Sequence, residues 1–320
     1  MGIAFALETA MKRPSLGILL LTLSCFSAPG LHAETHALIV SGLGGSPEYT
    51  ESFTDAAHVF ADALQTLDTD EDRIIKLDES ATREDILAAI AQRADAISSG
   101  ASTTFVLILV GHGNADSSNW RFNVTGPDLT TDDLVAALNE VQSSRQLVVL
   151  AASASGAALQ TLSQPQRVVV TATKSGGEIN AVRFPTYLSD AMKATSADYD
   201  RNEILTIGEA FRFAEARTVE YYEQQRLLAS EHARLSSDGP ADIAIALLGS
   251  LRQAQDDPEV AQLLDQRLVL EDEFRELTLR KPDMPLFEYY DDLEVLLIKI
   301  ARLQRSIDSA TGWSESDAES

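Results

Sequence analysis

The chain is almost without cysteine: of its 320 residues only Cys25 carries a thiol. That residue falls in a stretch with the marks of a removable export signal. Met11-Lys12-Arg13 gives a basic start, Leu16 to Phe26 an apolar core, and Leu31-His32-Ala33 a small residue at the end. This order describes a secretory signal peptide over residues 1–33, with cleavage expected after Ala33. The apolar core is too short for a membrane span. Met11 is available as an alternative start, since residues 1–10 add nothing that a signal needs. An alternative role for Cys25 is lipid attachment, although Thr22-Leu23-Ser24 before it fit a lipoprotein pattern poorly. With cleavage at Ala33 the remaining chain has no thiol, which excludes disulfides, a thiolate nucleophile and a cysteine metal site. The expected location is outside the cytoplasm, periplasmic or extracellular.

Positive charge is scarce as well. Lys and Arg number 25 against 49 Asp and Glu, a formal net charge of −24. Removal of the signal takes away Lys12, Arg13 and Glu8 and leaves 23 basic against 48 acidic side chains. This balance argues against nucleic acid and anionic lipid surfaces as partners. It favours solubility, cations or a basic partner, and a solvated acidic surface accounts for the same composition. No internal repeat stands out at solenoid periods. Two familiar loops are missing too. Gly42-Leu43-Gly44-Gly45 lacks the Gly-x-Gly-x-x-Gly spacing of a dinucleotide turn and reads as a turn clearing space at a strand end. Ala151 to Ala157 does not spell the Gly-x-Ser-x-Gly elbow of serine hydrolases.

What is present is an alternation of apolar runs and helical spacings. His36–Val40, Arg73–Leu77, Thr104–Val110, Leu147–Ala151 and Arg167–Thr171 read as strands. Between them Thr50–Leu67, a segment opened by Thr82, and Asp128–Val141 capped by Thr130 or Thr131 carry helical spacing. Such alternation predicts an α/β fold with a mostly parallel central sheet flanked by helices. From Ile207 the pattern turns helical, with helices expected over Ile207–His232 and Pro240–Ala254. Glu259–Leu279 and Leu286–Ile307 then form a pair broken by Lys281-Pro282-Asp283-Met284-Pro285, an antiparallel hairpin of coiled-coil character. The expected organisation is a signal over 1–33, an α/β domain over 34–235, a helical extension over 236–307 and a polar, disordered tail over 308–320.

Chemistry is expected at two strand ends. Phe105–Val110 stops at Gly111-His112-Gly113, and Leu147–Ala151 stops at Ala152-Ser153-Ala154-Ser155-Gly156. In open α/β sheets the loops at the carboxyl ends of strands carry ligands and catalytic groups. Together with Thr171–Glu178, Phe184–Met192 and the polar turn before Glu209-Ala210-Phe211, this order resembles the caspase–legumain clan of cysteine peptidases. Within it the chain is most similar to bacterial legumain-like, peptidase C13-type sequences. The resemblance covers roughly residues 36–235 and leaves the helical hairpin outside. It implies a caspase-like fold in which His112 is the acid or base, Gly113 an oxyanion donor and Ser153 the seat of the nucleophile. The clan has cysteine where this chain has Ser153. A thiol ionises within reach of neutral pH, whereas a hydroxyl needs an aimed base during attack.

Asp198-Tyr199-Asp200-Arg201-Asn202 with Ile204, Thr206 and Glu209 matches much of a calcium-loop spacing. Asp198, Asp200, Asn202 and Glu209 are the candidate ligands, and Glu203 stands where such loops carry glycine. Thr206-Ile207-Gly208-Glu209 is at the same time a capping box. Asn123-Val124-Thr125 is a glycosylation sequon by pattern. No cofactor other than calcium is expected, and the expected partner is a protein or peptide. Three functions stay open: a pseudo-peptidase that binds or scaffolds, a hydrolase using a Ser153–His112 dyad, and an interaction module acting through the hairpin.

Overall fold

The computed structural model describes residues 34–67, 70–97, 103–116, 119–236 and 241–312. The expected signal and most of the expected tail lie outside them. The elements run β1 (Glu34–Ser41), α1 (Pro47–Leu64), β2 (Ile74–Leu77), α2 (Arg83–Ala96), β3 (Thr103–Gly111), β4 (Gly113–Asp116), β5 (Asn119–Phe122), β6 (Leu129–Thr130), α3 (Thr131–Asn139) and β7 (Arg145–Ala152). They continue with α4 (Leu159–Leu162), β8 (Arg167–Thr171), α5 (Phe184–Ala191), β9 (Ile204–Thr206), α6 (Ile207–Gln224), β10 (Arg234–Leu235), β11 (Ala244–Leu247), α7 (Gly249–Gln253), α8 (Pro258–Arg280) and α9 (Leu286–Thr311).

The central sheet has six strands in the order β10-β8-β7-β3-β1-β2, parallel except for β10. Successive strand residues point to opposite faces, and both faces are covered. Ile39, Val106, Ile108 and Val149 meet Phe53 and Phe60 of α1, Phe184 of α5 and Phe213 of α6 on one side. Leu38, Leu107, Leu109 and Val148 meet Ile86 and Ile90 of α2 and Leu134 of α3 on the other. This two-sided burial explains why β3 and β7 are unbroken apolar runs rather than alternating ones.

Local chemistry fixes the helix starts. The side chains of Thr82, Thr130 and Thr206 accept from the N–H groups of Asp85, Asp133 and Glu209, whose carboxylates bond back to the capping residue. Each reciprocal cap satisfies two donors that a helix start leaves without partners.

Two expected helices differ. The helix expected over Ile207–His232 ends at Gln224, with Arg226 in the left-handed region at φ 55°. No helix-breaking residue ends it. The chain turns back because Arg234–Leu235 pair with the free edge of β8, and Glu231 accepts from the N–H groups of Arg183 and Phe184 at the start of α5. The helix expected over Pro240–Ala254 is β11, antiparallel to β9, followed by the short α7. Ile243, Ile245, Ala246 and Leu248 face the main core and Leu247 the hairpin base, with a register shift between Ala244 and Ala246, and a six-residue apolar run fits either element by pattern alone. The small antiparallel sheet β4-β5-β6 was not expected from the sequence.

The helical hairpin is present as α8 and α9. Its inner seam of Leu270, Phe274, Leu277, Tyr289, Leu293, Leu296 and Ile300 closes on itself. Val260 and Ile307 at its base pack on Ile204, Leu247 and Leu251.

Candidate functional site

β3 and β7 are neighbours, with Gly111 opposite Ala152. His112 and Ser153 therefore follow the last paired residues of adjacent strands and stand side by side at the carboxyl edge of the sheet. The two loops touch closely. A β-carbon on Gly113 would lie 2.8 Å from the Ser153 carbonyl oxygen and 2.5 Å from Trp120 Nε1, so only glycine fits there. The buried Trp120 indole N–H donates to that same carbonyl at 2.9 Å.

The Ser153 turn is tied down on all sides. Ala154 adopts φ 58°, ψ 6°, a left-handed conformation costing a β-carbon-bearing residue about 1–2 kcal/mol. Its N–H donates to the Glu178 carbonyl at 2.8 Å. Ser155 is fully buried; its hydroxyl accepts from the Ala172 N–H at 3.0 Å, and Thr173 Oγ1 accepts from the Gly156 N–H at 2.9 Å. Ser155 is thus a staple between the turn and the end of β8.

His112 is held differently. Its ring meets Tyr49 and Phe53 edge-on, with centroids 4.7 and 5.0 Å away. Burial keeps its pKa below the usual imidazole value, opposed by a hydrogen bond to the Gly44 backbone. The imidazole is neutral at neutral pH, as a general base must be. Ser153 is 2% exposed, and among the described residues no hydrogen bond joins its hydroxyl to His112. The expected pair is brought together in the backbone but does not form a hydrogen-bonded dyad.

A second histidine escaped the sequence reading. His232 Nδ1 lies 2.5 Å from Glu178 Oε1, its backbone N–H donates to Glu178 Oε2 at 3.0 Å, and Lys174 Nζ is 3.3 Å from both Nδ1 and Oε1. Burial opposes ionisation of Glu178, but hydrogen bonds from Lys174 and His232 hold its pKa below the usual carboxylate value. Glu178 and His232 are 54 positions apart, and no local pattern marks them.

Beside the His112 loop a cleft of about 350 Å³ opens between Tyr49, Phe53, Asn180, Arg183, Tyr221 and Leu227. Its surroundings carry exposed apolar side chains, Ile179 at 69% and Leu228 at 95%. A second cavity, also about 350 Å³, lies at the opposite edge of the sheet beside Thr35, Thr104 and Leu264, away from both loops.

The calcium-loop residues also converge. Asp198, Asp200 and Glu209 each offer an oxygen within 4.8 Å of the others. Burial raises the Asp198 pKa to about 6, with the Asp200 carboxylate adding to it, and desolvation and Glu209 raise Asp200. Carboxylates that repel one another in this way suit a hard cation with oxygen ligands. Arg201 and Glu203 take the left-handed conformation, at φ 58° and 61°. Glu203 tolerates it because its carboxylate caps α7, accepting from Ser250 N–H at 3.0 Å and Leu251 N–H at 2.9 Å. Asn202 turns to its own loop, donating to Asp200 and accepting from the Ile204 N–H.

No protein-family model matches the sequence, and no curated protein matches it. Among solved structures the chain is similar to caspase-1 from Spodoptera frugiperda, with a TM-score of 0.45 and 12% identity over 68% of this chain and 89% of that one. A likeness of that size assigns no residue its chemistry, and what the molecule itself has is a mostly parallel α/β sheet flanked by helices, with a helical hairpin at its carboxyl end.

Proposed function

We propose that the chain is an exported protein of caspase-like, peptidase C13-like fold that binds a peptide or protein at the carboxyl edge of its sheet without cysteine-peptidase chemistry. The observation that carries this reading is the pairing of Ser153 and His112 on adjacent strand ends with no hydrogen bond between them. The cleft over Tyr49, Arg183 and Tyr221 supplies a binding surface, with Arg183 stacked 5.2 Å from the Tyr221 ring centre. A peptide panel titrated against the chain, followed by calorimetry, tests this. Binding weakened at least tenfold by Arg183→Ala is the expected outcome, and a panel in which no peptide binds removes the reading. Export is tested by N-terminal sequencing of the secreted product, expected to begin at Glu34; a lipidated Cys25 as the first residue replaces it with an anchored protein.

A second property has its own support. The convergence of Asp198, Asp200 and Glu209 in a loop of calcium-like spacing favours a structural calcium ion, with Asn202 as a further candidate ligand. Bound there, the ion would neutralise carboxylates that otherwise repel one another and would brace the start of α6.

A further inference from the structure

We propose that the outward face of α9 is a self-association surface on which two copies of this chain pair antiparallel. The inner seam of α9, from Tyr289 to Ile307, is covered by α8 and the α/β body. Away from that seam lie Glu288, Asp291, Val295, Ile298, Arg302 and Arg305, all exposed. Their spacings alternate three and four, which keeps them on one stripe of a helix. Read in order, the stripe is acid, acid, apolar, apolar, base, base.

That order is complementary to its own reverse. In an antiparallel pair with its two-fold axis between Leu296 and Leu297, Glu288 meets Arg305 of the second copy and Asp291 meets Arg302. Val295 and Ile298, which are 57% and 43% exposed, meet each other across the axis. The symmetry makes every contact twice, as an isologous interface requires. A parallel pair would set acid against acid and base against base, so the charges also fix the orientation. Among the described residues Glu288, Asp291 and Arg302 have no ion pair, and Arg305 reaches only the Ala301 carbonyl of its own helix, at 3.4 Å. By contrast Arg267 of α8 is already engaged by Glu271 at 2.7 Å. Phe287, 76% exposed, falls opposite Ser306 of the second copy, which borders a groove lined by Val269 and Arg302. The proposal is independent of the reading of the His112 site.

Sedimentation velocity of the purified chain over a concentration series tests it. A dimer at low ionic strength is expected, weakened at least tenfold at roughly 0.5 M salt, where screening acts within a few ångströms. An all-acidic stripe (Arg302→Glu with Arg305→Glu) and an all-basic stripe (Glu288→Arg with Asp291→Arg) are each expected to be monomeric alone. Mixed, they are expected to form a heterodimer, and all four changes in one chain restore the homodimer. A chain that stays monomeric at low salt overturns the proposal. So does a dimer that survives either pair of substitutions, or a mixture that fails to associate.

Discussion

A hydroxyl at position 153 asks more of His112 than a thiol would. Serine is not ionised near neutral pH and attacks only while a base takes its proton, so the two side chains must be within hydrogen-bonding reach. Here His112 is neutral, as a base should be, but its hydrogen bond runs to Gly44 and its ring to Tyr49 and Phe53. The loops as such were legible, because each closes an apolar run with glycine. His232 and Glu178 were not, because only the folded chain brings them together. Asp198 gives a residue-scale prediction. Its pKa in the folded chain is raised to about 6, above the unfolded value, so the folded state binds the proton more tightly. Without metal, this residue's contribution to stability is greatest in acid and declines as pH rises from about 4 to 6. Calcium should reverse that decline. The rise in melting temperature on adding millimolar calcium is expected to be small at pH 4.5 and several degrees at pH 7.5, and to vanish in Asp198→Asn. An unchanged melting temperature at pH 7.5 leaves Glu209 with its capping role alone.

Elements with local signals are the ones the sequence predicts well. Thr82, Thr130 and Thr206 cap helices through residues three positions on, and β3 and β7 announce themselves as buried runs. Where the outcome depends on a distant partner, pattern fails. Nothing between Gln225 and Ala233 breaks a helix, yet α6 stops so that β8 and the start of α5 gain partners. Residues 244–247 become a strand because β9 offers an edge. The hairpin reads correctly because the heptad spacing and the Pro282 and Pro285 interruption are both local. Its base and its outer face should differ in energetic weight. Ile307, 1% exposed against Val260 and Leu251, is expected to cost about 2–4 kcal/mol when changed to alanine. Leu297, 46% exposed, should cost less than about 0.5 kcal/mol. Urea denaturation of the two variants measures both, and equal losses would mean that the hairpin base is not docked on the body.

At the scale of the molecule, a mostly parallel sheet places two loops together at its carboxyl edge, and a hairpin docks beside β9 and β11 at its base. The arrangement holds Ser153 and His112 at neighbouring strand ends, with the Ser153 turn fixed by Trp120, Glu178 and Thr173. Such fixation preserves a shaped edge whether or not chemistry takes place there. The central claim is that this edge binds without turning over. Hydrolysis of peptide and ester substrates by the unmodified chain, measured beside Ser153→Ala and His112→Ala, tests it most directly. The account predicts no turnover above the level of either variant. Turnover by the unmodified chain that disappears in both variants would contradict it and establish a Ser153–His112 hydrolase.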